Sequence, residues 1–365
     1  MELNMESNVA IVSDPLLSEF GPTRPPLLIA EELVKRNFRV KIVSTKVTED
    51  VKNLLQSKGI SVFSLTGGKG SKNESLNWFK SWVMEVSFFR NSRKIPKLKG
   101  VALNFSNTII VPSKCWYAQG PPTVTLKNIK GALATHYKLV YNLSSKCLEF
   151  LDKRGMKKFA ENSEIVVANS NYLRDVYHSF GVKVSKVIYP PLDCQLFRSK
   201  RSNFHSDYIL TYFGKEMKLT IIKKLADFGI DIVVFGGKFS AAPKWLIKHP
   251  KIRFLGRISN EKLVYLYSNA LFTVYPFLDE PFGYIPIESM ACGTPVLTFN
   301  KQGPSETVQN EITGWLAKTD EEMINLALYI WNNGYSSLMR KECERRARLF
   351  DKKRIVDEWM HLLRS

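Results

Sequence analysis

Short apolar runs rich in β-branched residues alternate with segments of helical spacing along most of the chain. "NVAIVSD" is one such run, followed by a loop with Gly21 and four prolines, then by "LLIAEELVKRN" with helical periodicity and by "RVKIVST". Strand, helix and strand within about forty residues make a βαβ unit, which closes right-handed with parallel strands. "ISVFSL", "NTIIVP", "CWYAQ" and "EIVVANS" read as further strands of this half, the last preceding a helix that starts near Asn171. "VIYPPLD" closes it, because consecutive prolines continue neither a helix nor a central strand.

After the polar, basic stretch that follows, the pattern restarts. "YILTYFG" reads as strand, "KLTIIKKLADFG" as a helix stopped by Gly229, and "IDIVVFGG", "KIRFLG", "LFTVYPF" and "TPVLTF" as strands. The spacing thus predicts an α/β chain of two doubly wound, Rossmann-like domains, with ligands at the carboxyl ends of the strands in a cleft between them. The expected boundaries are 1–192 for an N-terminal domain, 193–206 for a linker and 207–345 for a C-terminal domain. A final amphipathic helix in 346–365, with Ile355, Trp359, Leu362 and Leu363 on one side, is expected to pack back toward the N-terminal domain.

Composition narrows this picture. A chain of 365 residues with 44% hydrophobic residues can bury two cores and is not disordered. Its five cysteines are scattered and never spaced C-x-x-C, which argues against a disulfide framework or zinc site and suits a reducing, cytoplasmic compartment. No run reaches the length of a membrane span. The formal charge of +19 favours anionic partners without choosing between nucleic acid, anionic lipid and phosphorylated metabolites.

Against that charge, "DEPFGYIPIESMACGTPV" sets two carboxylates, Glu280 and Glu288, in a turn-rich apolar segment. Pro286 suits a first helical turn and Gly293 its end, so Glu288 is expected in that first turn and Glu280 in the loop before it. Solvation of one and a helix-dipole interaction of the other would account for both. Equally, Gly283 and the free amides of a helix start form an anion site, and a carboxylate on either side could accept hydroxyl pairs. Hydroxyls, phosphate, hydroxyls is the order of groups in a nucleotide sugar.

The segment resembles the E-x7-E motif of the retaining nucleotide-sugar glycosyltransferases of the GT-B fold, family four. "IVVANSNYLRDVYHSFGVKVSKVIYPPLD" is similar to the end of that family's first domain, and the stretch from "KIRFLGRISNEKL" to "ITGWL" to much of its second. The resemblance is strong from about Ile165 to Leu316 and weak before Asn107. It implies a GT-B enzyme that moves a hexose-type sugar from a nucleotide diphosphate sugar to a glycan or lipid-linked acceptor. Configuration would be retained by front-side attack, with no metal and no cofactor. Glu280 would then hold donor-sugar hydroxyls and Glu288 the ribose. The amides of Gly283, Tyr284 and Ile285 would meet the diphosphate, and Arg257 and Ile258 would border the base.

The chain departs from the family in several places. Where members place an Arg and a Lys to neutralise the leaving diphosphate, the loop from Gly214 reads "GKEMK", with Lys215 and Lys218 and no Arg. The departing diphosphate gains charge in the transition state, so a fixed cation there is catalytically useful. No Asp-x-Asp occurs, which removes the usual carboxylate pair for a bridging divalent ion. In place of a family His stands Gln119, which can hydrogen-bond a sugar hydroxyl but cannot act as acid or base. The first loop offers Gly21 with Arg24 nearby for acceptor or phosphate contact. An inactive sugar- or nucleic-acid-binding relative, and a GT-B epimerase or phosphorylase, stand as alternatives.

"SLNWFKSWVMEVSFFRNSRKIPKLK" sets Trp78, Phe79, Trp82, Phe88 and Phe89 beside Arg90, Arg93, Lys94, Lys97 and Lys99. It reads either as a helix packed on the first sheet with a basic end, or as a helix lying on an anionic membrane surface. No short nucleic-acid-binding motif is present, so nucleic acid is the less favoured partner.

Overall fold

The computed structural model describes residues 8–17, 23–66, 74–87, 91–132, 135–201 and 207–364. The chain divides into two α/β units. Unit 1 holds residues 1–126, 135–191 and 352–365, and unit 2 holds 127–134 and 192–351.

Unit 1 carries seven parallel strands: β1 (Asn8–Ser13), β2 (Arg39–Lys46), β3 (Ser61–Thr66), β4 (Val101–Asn104), β5 (Ser113–Ala118), β6 (Ser163–Ala168) and β7 (Lys186–Val187). Their order across the sheet is β3-β2-β1-β4-β5-β6-β7. Helices α1 (Arg24–Lys35), α2 (Glu49–Ser57), α3 (Glu74–Val86), α4 (Pro122–Ile129), α5 (Thr135–Glu161) and α6 (Asn171–Ser179) are interleaved with them. Unit 2 has β8 (Ile209–Tyr212), β9 (Ile232–Phe235), β10 (Ile252–Gly256), β11 (Thr273–Tyr275), β12 (Val296–Phe299) and β13 (Gly314–Ala317), ordered β10-β9-β8-β11-β12-β13 and all parallel. Its helices are α7 (Leu219–Asp227), α8 (Lys244–Lys248), α9 (Asn260–Asn269), α10 (Tyr284–Ala291), α11 (Pro304–Thr307), α12 (Asp320–Asn333) and α13 (Ser337–Ala347). The chain ends in α14 (Lys352–Arg364).

Alternation along the strands feeds three buried clusters in unit 1, one of them formed by Val12, Val43, Ile109 and Val111. Cys115, Tyr117 and Val167 face a cluster with α1 and α14, while Trp116, Val166 and Ala168 face one with Met156 and Phe159 of α5 and with Tyr177 of α6. A two-residue side-chain period with both faces covered is what a buried parallel sheet requires. Trp359 of α14 is fully buried against Phe105 and Tyr117, with ring centroids 5.0 and 5.3 Å away. An ion pair of 2.6 Å between Arg36 and Asp357 joins the end of α1 to the same helix.

Two expectations are corrected here, and one alternative is decided. "NTIIVP" is not a strand; the strand between β1 and β5 is the shorter "VALN". Ile109, Ile110 and Val111 are still core, but side chains take the place of a ladder. Asp14 Oδ1 accepts from the Asn107 and Thr108 amides at 2.9 and 3.1 Å, Glu85 accepts from the Ile110 amide at 2.7 Å, and Asn104 donates to the Ile109 carbonyl. Burial pushes the Asp14 carboxyl up, against hydrogen bonds from Ser106, Trp78, Thr108 and Asn107 that lower it.

The expected linker is the second difference. Its described residues, 193–201, belong to unit 2, where Phe197 is buried and the Leu192 amide bonds the Phe350 carbonyl. Unit 2 also runs on to Asp351, so the change of unit falls at the start of α14.

Of the two readings of the aromatic stretch from Ser75, the packed helix is the one found. Trp82 is buried and Trp78 donates its indole N–H to Asp14 at 2.8 Å, so both serve the interior of unit 1 and not a lipid-facing surface. Phe88, Phe89 and Arg90 lie outside the described residues.

Candidate functional site

In the sheet of unit 2 the strand order reverses direction between β8 and β11, and a switch of this kind opens a crevice at the strands' carboxyl ends. The loop after β8 carries Gly214, Lys215 and Lys218; the loop after β11 carries Glu280. Backbone bonds stitch the two together: Lys218 N to the Pro276 carbonyl at 2.7 Å and Leu278 N to the Glu216 carbonyl at 2.5 Å. Sheet order therefore brings together residues about sixty positions apart in sequence.

Gly214 has a packing reason. A Cβ there would collide with the Tyr212 ring and the Glu216 carboxylate. The site thus contains a carboxylate that the sequence reading passed over. Glu216 is raised above the usual range chiefly by burial, with Lys215 acting the other way.

Glu280 is held on all sides. Its carboxylate accepts from Tyr275 Oη at 2.5 Å and from the Gly283 and Phe282 amides at 3.0 and 3.3 Å. Its own amide donates to Gln302 Oε1 at 2.7 Å, and its carbonyl accepts from Gly303 N at 3.1 Å. Gly283 sits at φ +102°, a conformation that favours glycine, and α10 begins immediately after it. The Gly283 amide, expected to meet phosphate, is bonded to Glu280 itself, and Tyr284 and Ile285 occupy the first two positions of the helix. Burial, followed among the raising causes by Glu216 and Asp279, lifts the Glu280 carboxyl to about 7 against the hydrogen bond from Tyr275.

A carboxyl with a raised folded-state pKa stabilises the fold while it keeps its proton. That contribution is lost as pH rises from about 4.5 to about 7. Glu280→Gln is therefore expected to melt about 2–4 °C above the parent at pH 8, with the gap shrinking as pH falls to 5. Thermal melts across that range check it; a gap independent of pH would mean an ordinary carboxyl.

Glu288 is not in the first turn as expected. With α10 starting at Tyr284 it is the fifth residue, because the left-handed Gly283 places the helix start two positions ahead of Pro286. Its side chain is almost fully buried and accepts from Tyr267 Oη at 3.1 Å. Arg257 is exposed and Ile258 half-buried in the loop after β10; the Arg257 charge reaches Tyr212, the residue that ends β8.

The two lysines separate. Lys218 is the N-cap of α7, and its ammonium lies 2.7 Å from Asp320 and 4.8 Å above the Phe299 ring. Asp320 offsets what a cation at a helix N-terminus would otherwise cost. Lys215 is exposed beside Glu216. A third cation, Lys301, lies over Phe277 and Phe299 at 5.2 and 5.0 Å, a contact that no linear motif announced. Among the described residues, no three His, Cys, Asp or Glu side chains could hold a metal ion.

In unit 1, half-buried Gln119 donates to the Phe105 carbonyl at 2.9 Å. The loop behind it is clamped by Tyr177 Oη on the Gly120 amide and by Asp152 on Thr123 N, at 3.1 and 2.9 Å. Arg24 opens α1; Gly21 lies outside the described residues.

Residues 222–350, all within unit 2, match the family "Glycosyl transferases group 1". An alpha-1,3/1,6-mannosyltransferase, ALG2, of Eremothecium gossypii is 34% identical over 101 residues, which are 24% of this chain and 20% of that protein. The chain spans between 20% and 28% of the length of the first curated relatives it matches. Over 98% of both chains the structure is similar to sucrose-phosphate synthase of Thermosynechococcus elongatus, with a TM-score of 0.72 and 17% identity. It is also similar to Anabaena HepE in complex with UDP, with a TM-score of 0.68 and 14% identity over 98% of this chain and 99% of that one. At such identities the likeness shows the fold.

Proposed function

We propose, on the premise that this chain carries a glycosyl transferases group 1 domain on a GT-B fold, that it transfers a hexose-type sugar from a nucleotide diphosphate sugar to a glycan or lipid-linked acceptor. The observation that carries the reading is the meeting of the loops after β8 and β11 where the strand order switches direction. There Glu280, Glu216, Lys215 and the start of α10 converge on what a nucleotide sugar presents, hydroxyls beside a diphosphate. Solved relatives of the same fold hold UDP and UDP-glucose, which supports this donor class.

In the proposed complex Glu280 accepts donor-sugar hydroxyls and Glu288 the ribose. With the Gly283 amide kept on Glu280, the backbone at Tyr284 and Ile285 faces the diphosphate at the positive end of the α10 dipole. Lys215 neutralises the leaving group, Arg257 and Ile258 border the base, and Gln119 hydrogen-bonds a sugar hydroxyl. Anomeric configuration is retained by front-side attack, with the donor phosphate taking the acceptor proton, and no metal or cofactor takes part. Lysines and amides supply the charge that a divalent ion would otherwise supply.

Thermal-shift and hydrolysis screens across UDP-, GDP- and ADP-sugars, with and without chelator, test the proposal. Binding of no nucleotide sugar would end it. Glu280→Ala and Glu288→Ala separate the roles: each is expected to lose about 1–3 kcal/mol of donor interaction, because an enclosed polar partner is left unpaired. The Glu288 variant should weaken the nucleoside diphosphate alone, while the Glu280 variant should matter only with the sugar attached. Equal losses on sugar-free nucleotide would contradict the assignment.

A further inference from the structure

Helix α5 presents an apolar outer face. Its inner side is buried through Tyr141, Asp152, Met156 and Phe159, at the three- and four-residue spacing of one helical face. On the opposite side Leu139, Leu143 and Phe150 are 62%, 83% and 64% exposed, with Val140, 62% exposed, at the flank. From Leu139 to Phe150 they extend over about 16 Å at the rise of an α-helix. Clustered large apolar side chains in water mark an interaction surface.

The charges around the stripe identify the occupant. Lys146, Lys153 and Lys157 are exposed on the same helix, and Glu149 is the exposed acid among them. Lys157 is loosely paired with Glu161 at 3.8 Å, which leaves Lys146 and Lys153 facing solvent. We propose that this face of α5 docks on an anionic lipid surface, with the leucines and Phe150 entering the acyl boundary and the lysines meeting headgroup phosphates. Neither property alone would select that partner. A nucleic acid would satisfy the lysines and leave the leucines in water, and a second copy of the chain would bring two cationic helices together. Only a surface that is apolar below and anionic above matches both.

The aromatic stretch from Ser75, the other candidate for such a surface, spends Trp78 and Trp82 inside unit 1. Among the described residues no helix is long and apolar enough to cross a membrane, so docking through α5 would be peripheral.

Co-sedimentation of the full chain with phosphatidylcholine vesicles, with and without phosphatidylglycerol, tests this. Binding is expected only to the anionic vesicles and to fall with salt. The double variant Leu143→Asp/Phe150→Asp should bind about tenfold more weakly, and Leu143→Ser/Phe150→Ser should lie between it and the parent. Both variants should keep the parent's circular dichroism, since the side chains are exposed. Three results would overturn the proposal: no binding by the parent at low salt, equal binding by the aspartate variant, or a dimer in sedimentation velocity that the variant abolishes.

Discussion

Lys215→Ala is expected to lower nucleotide-sugar-dependent transfer by about 100- to 1000-fold in kcat while moving the donor KM little. Bond cleavage to the nucleoside diphosphate adds negative charge at the bridging oxygen, so a fixed cation stabilises the transition state more than the ground state. Among the described residues Lys215, Lys218 and Lys301 stand near the loops after β8 and β11, and two of them have other partners. Lys218 is occupied by Asp320 and Phe299, and Lys301 lies over Phe277 and Phe299. Lys215, at the carboxyl end of β8 and beside Glu216, is the one proposed above for the leaving group. Lys218→Ala is accordingly expected to cost less than tenfold in kcat and to show as a small loss of stability at the α7–α12 contact. Lys215→Arg should retain most of the rate, because the charge is kept. Steady-state kinetics of the three variants decide the matter, and a larger kcat loss in Lys218→Ala would reverse the assignment.

Trp359→Ala is expected to destabilise unit 1 by about 3–5 kcal/mol. The indole is fully buried and touches Phe105 and Tyr117, so truncation leaves a large cavity beneath the sheet. Its N–H has no hydrogen-bond partner among the described residues, so Trp359→Phe loses volume and no polar contact, and should cost clearly less. Phe105 also supplies the carbonyl that accepts from Gln119, so the alanine variant is expected to loosen that contact within unit 1. Chemical denaturation of both variants checks the ranking; an alanine variant as stable as the phenylalanine one would mean that α14 is not part of this core.

Much of the fold was legible because a buried parallel sheet writes itself in local terms. Each strand must be a short apolar run, each crossover helix must carry an apolar stripe, and their alternation leaves few topologies. "NTIIVP" shows the limit: its composition is that of a strand, yet buried Asp14 and Glu85 bind its amides from elsewhere in the sequence. Hydrophobic pattern reports burial, and burial is what this segment has; it does not report which group satisfies the backbone.

The same division runs through the candidate site. Glu280, Glu288, Gly283 and the lysine loop stand in the sequence as motifs, since each needs a particular residue type at a fixed local spacing. Tertiary structure alone decided that Lys218 is held by Asp320, that Lys301 joins it across Phe299, and that Glu216 lies close enough to raise Glu280. It also decided which face of which helix is left in water, turning the tryptophans of α3 inward and the leucines of α5 outward. Local spacing determines what a segment can become. Partners distant in the chain meet only when the order of strands in a sheet is set, and that order is a property of the whole chain's packing.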